Sequence, residues 1–124
     1  MAKALVVDDS RAMRNIITKI IASCGFEVCQ ASNGCEALDV MNREFPKISI
    51  VLADWNMPTM NGLDFVKNLR ADPRYATVMV IMVTTETHIE QMTVALEAGV
   101  NEYVMKPFTG EMIADKLRLL GVLH

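Results

Sequence analysis

"ISIVLAD", residues 48–54, is an almost unbroken apolar run that ends in an aspartate. It is too short for an ordinary helix and too uniformly apolar for a strand with one wet face. It reads as a strand buried on both faces, as in a parallel sheet covered by helices. Upstream, Ala37, Leu38, Met41 and Phe45 recur at helical steps, with Pro46 beyond them. Downstream, Leu63, Val66 and Leu69 follow "NG" and mark another helix. A helix on either side of a buried strand predicts the same alternation elsewhere in the chain.

The alternation is there. "ALVV" (4–7), "FEVCQA" (26–31), "VMVIMV" (78–83) and "EYVM" (102–105) read as the other strands. Met13, Ile16, Ile17, Ile20, Ile21 and Cys24 form an apolar helical stripe closed by Gly25. Ile89, Met92, Ala95 and Leu96 form a fourth helix stopping at Gly99, and Ile113, Leu117 and Leu120 a fifth. Asn33 with Glu36 and Thr87 with Glu90 read as capping boxes. The expected fold is α/β, a (βα)5 doubly wound five-stranded parallel sheet with helices on both faces. It forms one domain spanning 1–124, long enough to bury roughly two-thirds of the surface of its unfolded chain.

Composition narrows the function. Residues are 52% hydrophobic and 22% charged, which excludes a disordered chain. The net charge is −3 and the basic residues are scattered, so neither nucleic acid nor an acidic membrane is an expected partner. The apolar runs fall far short of the about 20 residues that span a bilayer, and a signal-peptide core is missing. Cys24, Cys29 and Cys35 follow no zinc spacing and read as reduced, buried thiols. A soluble, cytoplasmic monomer is expected.

The strand ends carry the chemistry. The first strand ends in Asp8-Asp9, the third in Asp54, the fourth in Thr84-Thr85 and the fifth in Lys106-Pro107. In open α/β sheets ligands bind beyond the carboxyl ends of the strands. Three carboxylates facing one amine leave excess negative charge, which a hard divalent cation resolves. Mg2+ takes one or two carboxylates, keeps several waters and accepts phosphate oxygens. Asp9 and Asp54 are candidate ligands, with Asp8 acting directly or through water. A carboxylate is also a nucleophile toward phosphorus. A lysine and a threonine hydroxyl beside it suit phosphoryl transfer onto an aspartate.

"VVDDS", "ADWNMPTMNG", "VTTE" and "YVMKPF" together resemble the receiver domains of two-component response regulators, most closely the single-domain chemotaxis (CheY-like) type. The resemblance covers essentially the whole chain and implies the strand order 2-1-3-4-5. It further implies that Asp54 is the phosphorylated residue, and that Asp8, Asp9, Asp54 and the Asn56 backbone carbonyl hold Mg2+. Lys106 would pair with the phosphoryl group, with a cis peptide between it and Pro107. Thr84 and Tyr103 would form the switch pair that alters the face of the fourth helix, fifth strand and fifth helix.

In this family Asn56 and Glu86 stand at tuning positions and imply a short-lived phosphoryl group. Thr85, where alanine or glycine is usual, points the other way. Glu86, Glu90 and Glu97 make the fourth helix more acidic than in chemotaxis proteins, so a flagellar-motor target does not follow. Trp55 is expected partly exposed beside the acceptor, and His88 and His124 on the surface.

The expected function is a stand-alone signalling switch, not a metabolic enzyme. It takes a phosphoryl group from a histidine kinase or phosphotransfer protein and presents a changed face to a downstream protein. No output domain is read after the fifth helix. The alternative is a pseudo-receiver, a phosphorylation-independent interaction module, against which the intact acidic trio and Lys106 speak. A flavodoxin-like carrier is disfavoured because two aspartates in the first loop repel a flavin phosphate. Neither a P-loop nor a dinucleotide fingerprint is present. The Asp-x-Asp spacing of aspartyl-phosphate phosphatases is missing.

Overall fold

The computed structural model describes residues 2–85 and 89–123. Five strands, β1 (Lys3–Val7), β2 (Glu27–Ala31), β3 (Ile48–Ala53), β4 (Met79–Thr84) and β5 (Glu102–Met105), alternate with five helices. These are α1 (Arg11–Ser23), α2 (Gly34–Glu44), α3 (Gly62–Ala71), α4 (Ile89–Ala98) and α5 (Gly110–Leu119). All strand pairs are parallel and the sheet order is β2-β1-β3-β4-β5, the α/β arrangement expected.

The apolar runs explain the layering. Successive residues of a strand point to opposite faces. Leu5, Val7, Val51, Ala53, Val80 and Met82 pack against Ala37, Val40, Met41, Phe65, Val66, Leu69 and Ala95 from α2, α3 and α4. Their alternates Ala4, Val6, Ile50, Leu52, Ile81 and Val83 pack against Ile17, Ile21, Ile113 and Leu117 from α1 and α5. From Ile50 to Ala53 both faces of β3 are therefore dry, and only Ser49, near its start, is partly open to water.

Local signals set the helix ends. Ser10, Asn33, Asn61 and Thr109 each accept a backbone N–H with the side chain and start α1, α2, α3 and α5. Past α1, Gly25 takes φ +96°, a left-handed conformation that a side chain would oppose.

The Asn33 capping box is only half made. Asn33 Oδ1 accepts from Glu36 N–H at 2.9 Å, but the Glu36 carboxylate turns to the Ser32 hydroxyl at 2.9 Å. The Thr87 cap lies outside the described residues, as do Glu86, His88 and His124. Cys24 and Cys29 are half-buried free thiols, while Cys35 is exposed on the first turn of α2, where no core reaches it. Among the described residues no helix is long and apolar enough to cross a membrane.

Candidate functional site

The chain leaves β1 toward β2 on one side of the sheet and comes back at β3 on the other, which opens a crevice beyond the carboxyl end of β1. Asp8 and Asp9 follow β1 directly, and Asp54 follows β3, into that crevice. The Asp54 N–H donates to the Val7 carbonyl at 3.0 Å, so the two strand ends are locked in register where the acids begin. Lys106 arrives from β5, its N–H donating to the Thr84 carbonyl at 2.9 Å. The Lys106–Pro107 peptide is cis; so is Phe45–Pro46 at the far end of the sheet, which the sequence reading did not foresee.

Ligand atoms from Asp8, Asp9 and Asp54 all lie within 4.8 Å of one another. Lys106 Nζ bridges two of them, donating at 3.0 Å to Asp8 Oδ2 and at 3.0 Å to Asp54 Oδ2. Asp8 is 1% exposed, and its other oxygen accepts the Ser10 N–H at 2.9 Å. Burial raises its carboxyl above the ordinary aspartate range, against the Ser10 and Lys106 hydrogen bonds that favour the charged form. Burial works against the Lys106 charge too, but the hydrogen bonds it donates to Asp8 and Asp54, with their negative charge, outweigh it and hold the ammonium above its usual range.

Asp54 is 8% exposed, and among the described residues its Oδ1 has only the long 3.4 Å hydrogen bond from the Asn56 N–H. Asp9 is exposed, and among the described residues its carboxylate has no ion pair or hydrogen bond. Among the described residues one ammonium thus stands against three carboxylates and pairs with two of them. The donor set is all oxygen, part buried and part open to water, and fits a hard divalent cation that retains some of its waters.

The loop after Asp54 folds tightly over the site. A Cβ on Gly62 would stand 2.2 Å from the Asp54 carbonyl, so only glycine permits the approach, and the Gly62 N–H donates to the Trp55 carbonyl at 2.8 Å. This closure corrects the expectation for Trp55. Trp55 is 9% exposed and belongs to the core on the α2–α4 face. Thr59, with φ 69°, turns the loop between the Pro58 and Met60 positions.

Thr84 is fully buried at the end of β4 and Thr85, next to it, is exposed. Tyr103 is half-buried on β5 and helps line a groove with Val104, Met112, Lys116 and Leu119. Met112 and Leu119 are 42% and 67% exposed there. The structure therefore gathers Asp8, Asp9, Asp54 and Lys106 at one point and sets Thr84 at the end of a neighbouring strand, with Tyr103 on the next. Sequence reasoning missed Arg14, whose Nη1 donates to the Asp8 carbonyl at 2.8 Å.

The sequence pattern of the response regulator receiver domain matches residues 4–118. The chain belongs to that family. It is 44% identical over 119 residues to the chemotaxis protein CheY1 of Helicobacter pylori, covering 95% of each chain. It is 44% identical over 116 residues to a CheY homolog of Campylobacter jejuni, covering 93% of this chain and 88% of the relative.

Among solved structures, CheY4 of Vibrio cholerae superposes with a TM-score of 0.90 at 33% identity, over 97% of this receiver and 98% of that chain. A chain from the CheX–CheY–BeF3–Mg2+ complex of Borrelia burgdorferi gives 0.92 at 26% identity, over 98% and 90%. This protein is a CheY-like receiver, and CheY-like receivers are signalling switches.

Proposed function

We propose that this receiver, acting as one unit over 1–124, accepts a phosphoryl group on Asp54 from a histidine kinase or phosphotransfer protein in a Mg2+-dependent reaction. The observation that carries the reading is the trio of carboxylates within 4.8 Å with a single bridging lysine. Asp8, Asp9, Asp54 and the Asn56 backbone carbonyl are the protein ligands. Mg2+ held there supplies positive charge to phosphoryl oxygens as charge moves during transfer.

Asp54 Oδ1, the less engaged oxygen, forms the new O–P bond. The donor's P–N bond breaks, its electron pair stays on the departing imidazole, and the imidazole takes a proton from water. Lys106, released from bridging two carboxylates, pairs with a phosphoryl oxygen. The Thr84 hydroxyl donates to another, and Tyr103 shifts with it.

The downstream partner docks on the face made by α4, β5 and α5, where the groove beside Tyr103 leaves Met112 and Leu119 uncovered. Relatives matched along nearly their whole length support a single-domain regulator of the chemotaxis kind. The test is phosphorylation with acetyl phosphate, with and without Mg2+, read by intact mass. One phosphoryl group added only with Mg2+, and lost in Asp54→Asn, is the expected result.

A further inference from the structure

Asp8 and Asp9 are held in different ways. Asp8 is anchored by Ser10 and Lys106 through its two carboxylate oxygens. Asp9 has no such anchor among the described residues, so its place in the trio is set by the backbone before it. The Asp8 N–H still donates to the Ala31 carbonyl at 3.1 Å, continuing the ladder to β2. The next partner in a parallel ladder, an N–H on β2 for the Asp8 carbonyl, is lost because β2 ends at Ala31 and Asn33 turns away to cap α2.

Arg14 takes that carbonyl instead. Its Nη1 donates to Asp8 O at 2.8 Å and its Nε to Gln30 Oε1 at 3.2 Å. Gln30 is held in turn, its amide donating to the Thr18 hydroxyl at 2.9 Å. Although three carboxylates lie close by, Arg14 forms no ion pair with a carboxylate among the described residues. It directs its donors to a neutral carbonyl and a neutral amide.

We propose that Arg14 is a positioning residue for the cation site: by fixing the Asp8 carbonyl it orients the peptide leading into Asp9 and so places that carboxylate. The proposal rests on the reading of the trio as a Mg2+ site. Partners that orient metal ligands typically change metal affinity by roughly 10- to 100-fold when removed. The sign separates positioning from charge. A bystander cation repels Mg2+, so its removal would tighten binding; a positioning residue weakens binding when removed.

The experiment is a Mg2+ titration of the full chain by calorimetry and by Trp55 fluorescence, for wild type, Arg14→Met, Arg14→Lys and Gln30→Leu, with the metal-free Tm of each. Arg14→Met should raise the Kd for Mg2+ roughly tenfold or more. Arg14→Lys keeps a donor and the charge but loses the second anchor, and should fall between it and wild type. Gln30→Leu leaves Arg14 untethered and should weaken binding by less; it stands in if Arg14→Met does not fold.

An unchanged or lower Kd in Arg14→Met would overturn the proposal, as would a fall in metal-free Tm with Mg2+ affinity intact. If Arg14→Met does not fold, an unchanged Kd in Gln30→Leu would overturn it too. A wild type that takes up no Mg2+ would reject the cation site itself, a different failure from an Arg14 variant that binds as well as wild type.

Discussion

At the amino-terminal edge of the sheet, Lys3 Nζ meets Glu44 at 3.0 Å, and Arg74 clasps Asp72 at 2.8 Å. At the carboxyl-terminal edge one ammonium is shared by Asp8 and Asp54, and Asp9 stands beside them. The first edge pairs these charges internally; the second keeps a negative excess that a bound cation would relieve. An arrangement that costs stability in the resting chain and is relieved by a ligand is how functional sites commonly depart from their surroundings. Breaking each edge should therefore have different consequences.

The largest contrast is in chemistry. Asp54→Asn should abolish phosphoryl uptake from acetyl phosphate, while Lys3→Met should leave its rate unchanged, both read by intact mass. Next comes the metal response. Mg2+ at a hundredfold excess over its Kd stabilises a site by about 2.7 kcal/mol. For a domain of this size that is a rise in Tm on the order of 10 °C. Asp9→Ala should remove this gain and Lys3→Met should keep it; a full Mg2+ gain in Asp9→Ala would dismiss Asp9 as a ligand.

The two edges also respond to pH with opposite sign. Burial raises the Asp8 carboxyl in the folded chain, so the folded state holds that proton more tightly than the unfolded one. Its stability contribution is present below the ordinary aspartate range and lost as pH rises through the raised value. The Lys3 hydrogen bond lowers Glu44, whose contribution is present above the ordinary glutamate range and lost as pH falls through the lowered value. In metal-free protein, Asp8→Asn should gain on wild type as pH rises out of the acid range, and Glu44→Gln should lose ground. Denaturant midpoints across pH 3–7 check both, and slopes of the same sign would refute the contrast. The smallest effect is that of Lys3→Met on Tm at neutral pH, since pairs that water reaches add little.

Much of this was legible beforehand because apolar runs are blunt signals. β3 and β5 have the bounds read from "ISIVLA" and "EYVM", β1 and β2 differ by a residue at one end, and β4 by a residue at each end. Charged residues at strand ends marked the crevice because few other roles place three aspartates and a lysine there. What stayed hidden depended on contacts distant in sequence. Trp55 looked like a loop aromatic, and its burial depends on Gly62 letting two stretches of backbone close to a distance no side chain allows. Nothing in the sequence singled out Arg14, whose hydrogen bond to the Asp8 carbonyl emerges only where β2 ends at Ala31 and leaves that carbonyl free of the ladder. The 3-10 turn Pro73–Tyr75, capped by Asp72, left no periodic pattern to find.

The most direct test of the account is the intact mass of wild type and Asp54→Asn after acetyl phosphate treatment, each with Mg2+ and with chelator. One added phosphoryl group in wild type with Mg2+ alone, and none in Asp54→Asn, is the predicted result. An unchanged wild-type mass, or an equal gain in Asp54→Asn, would contradict it.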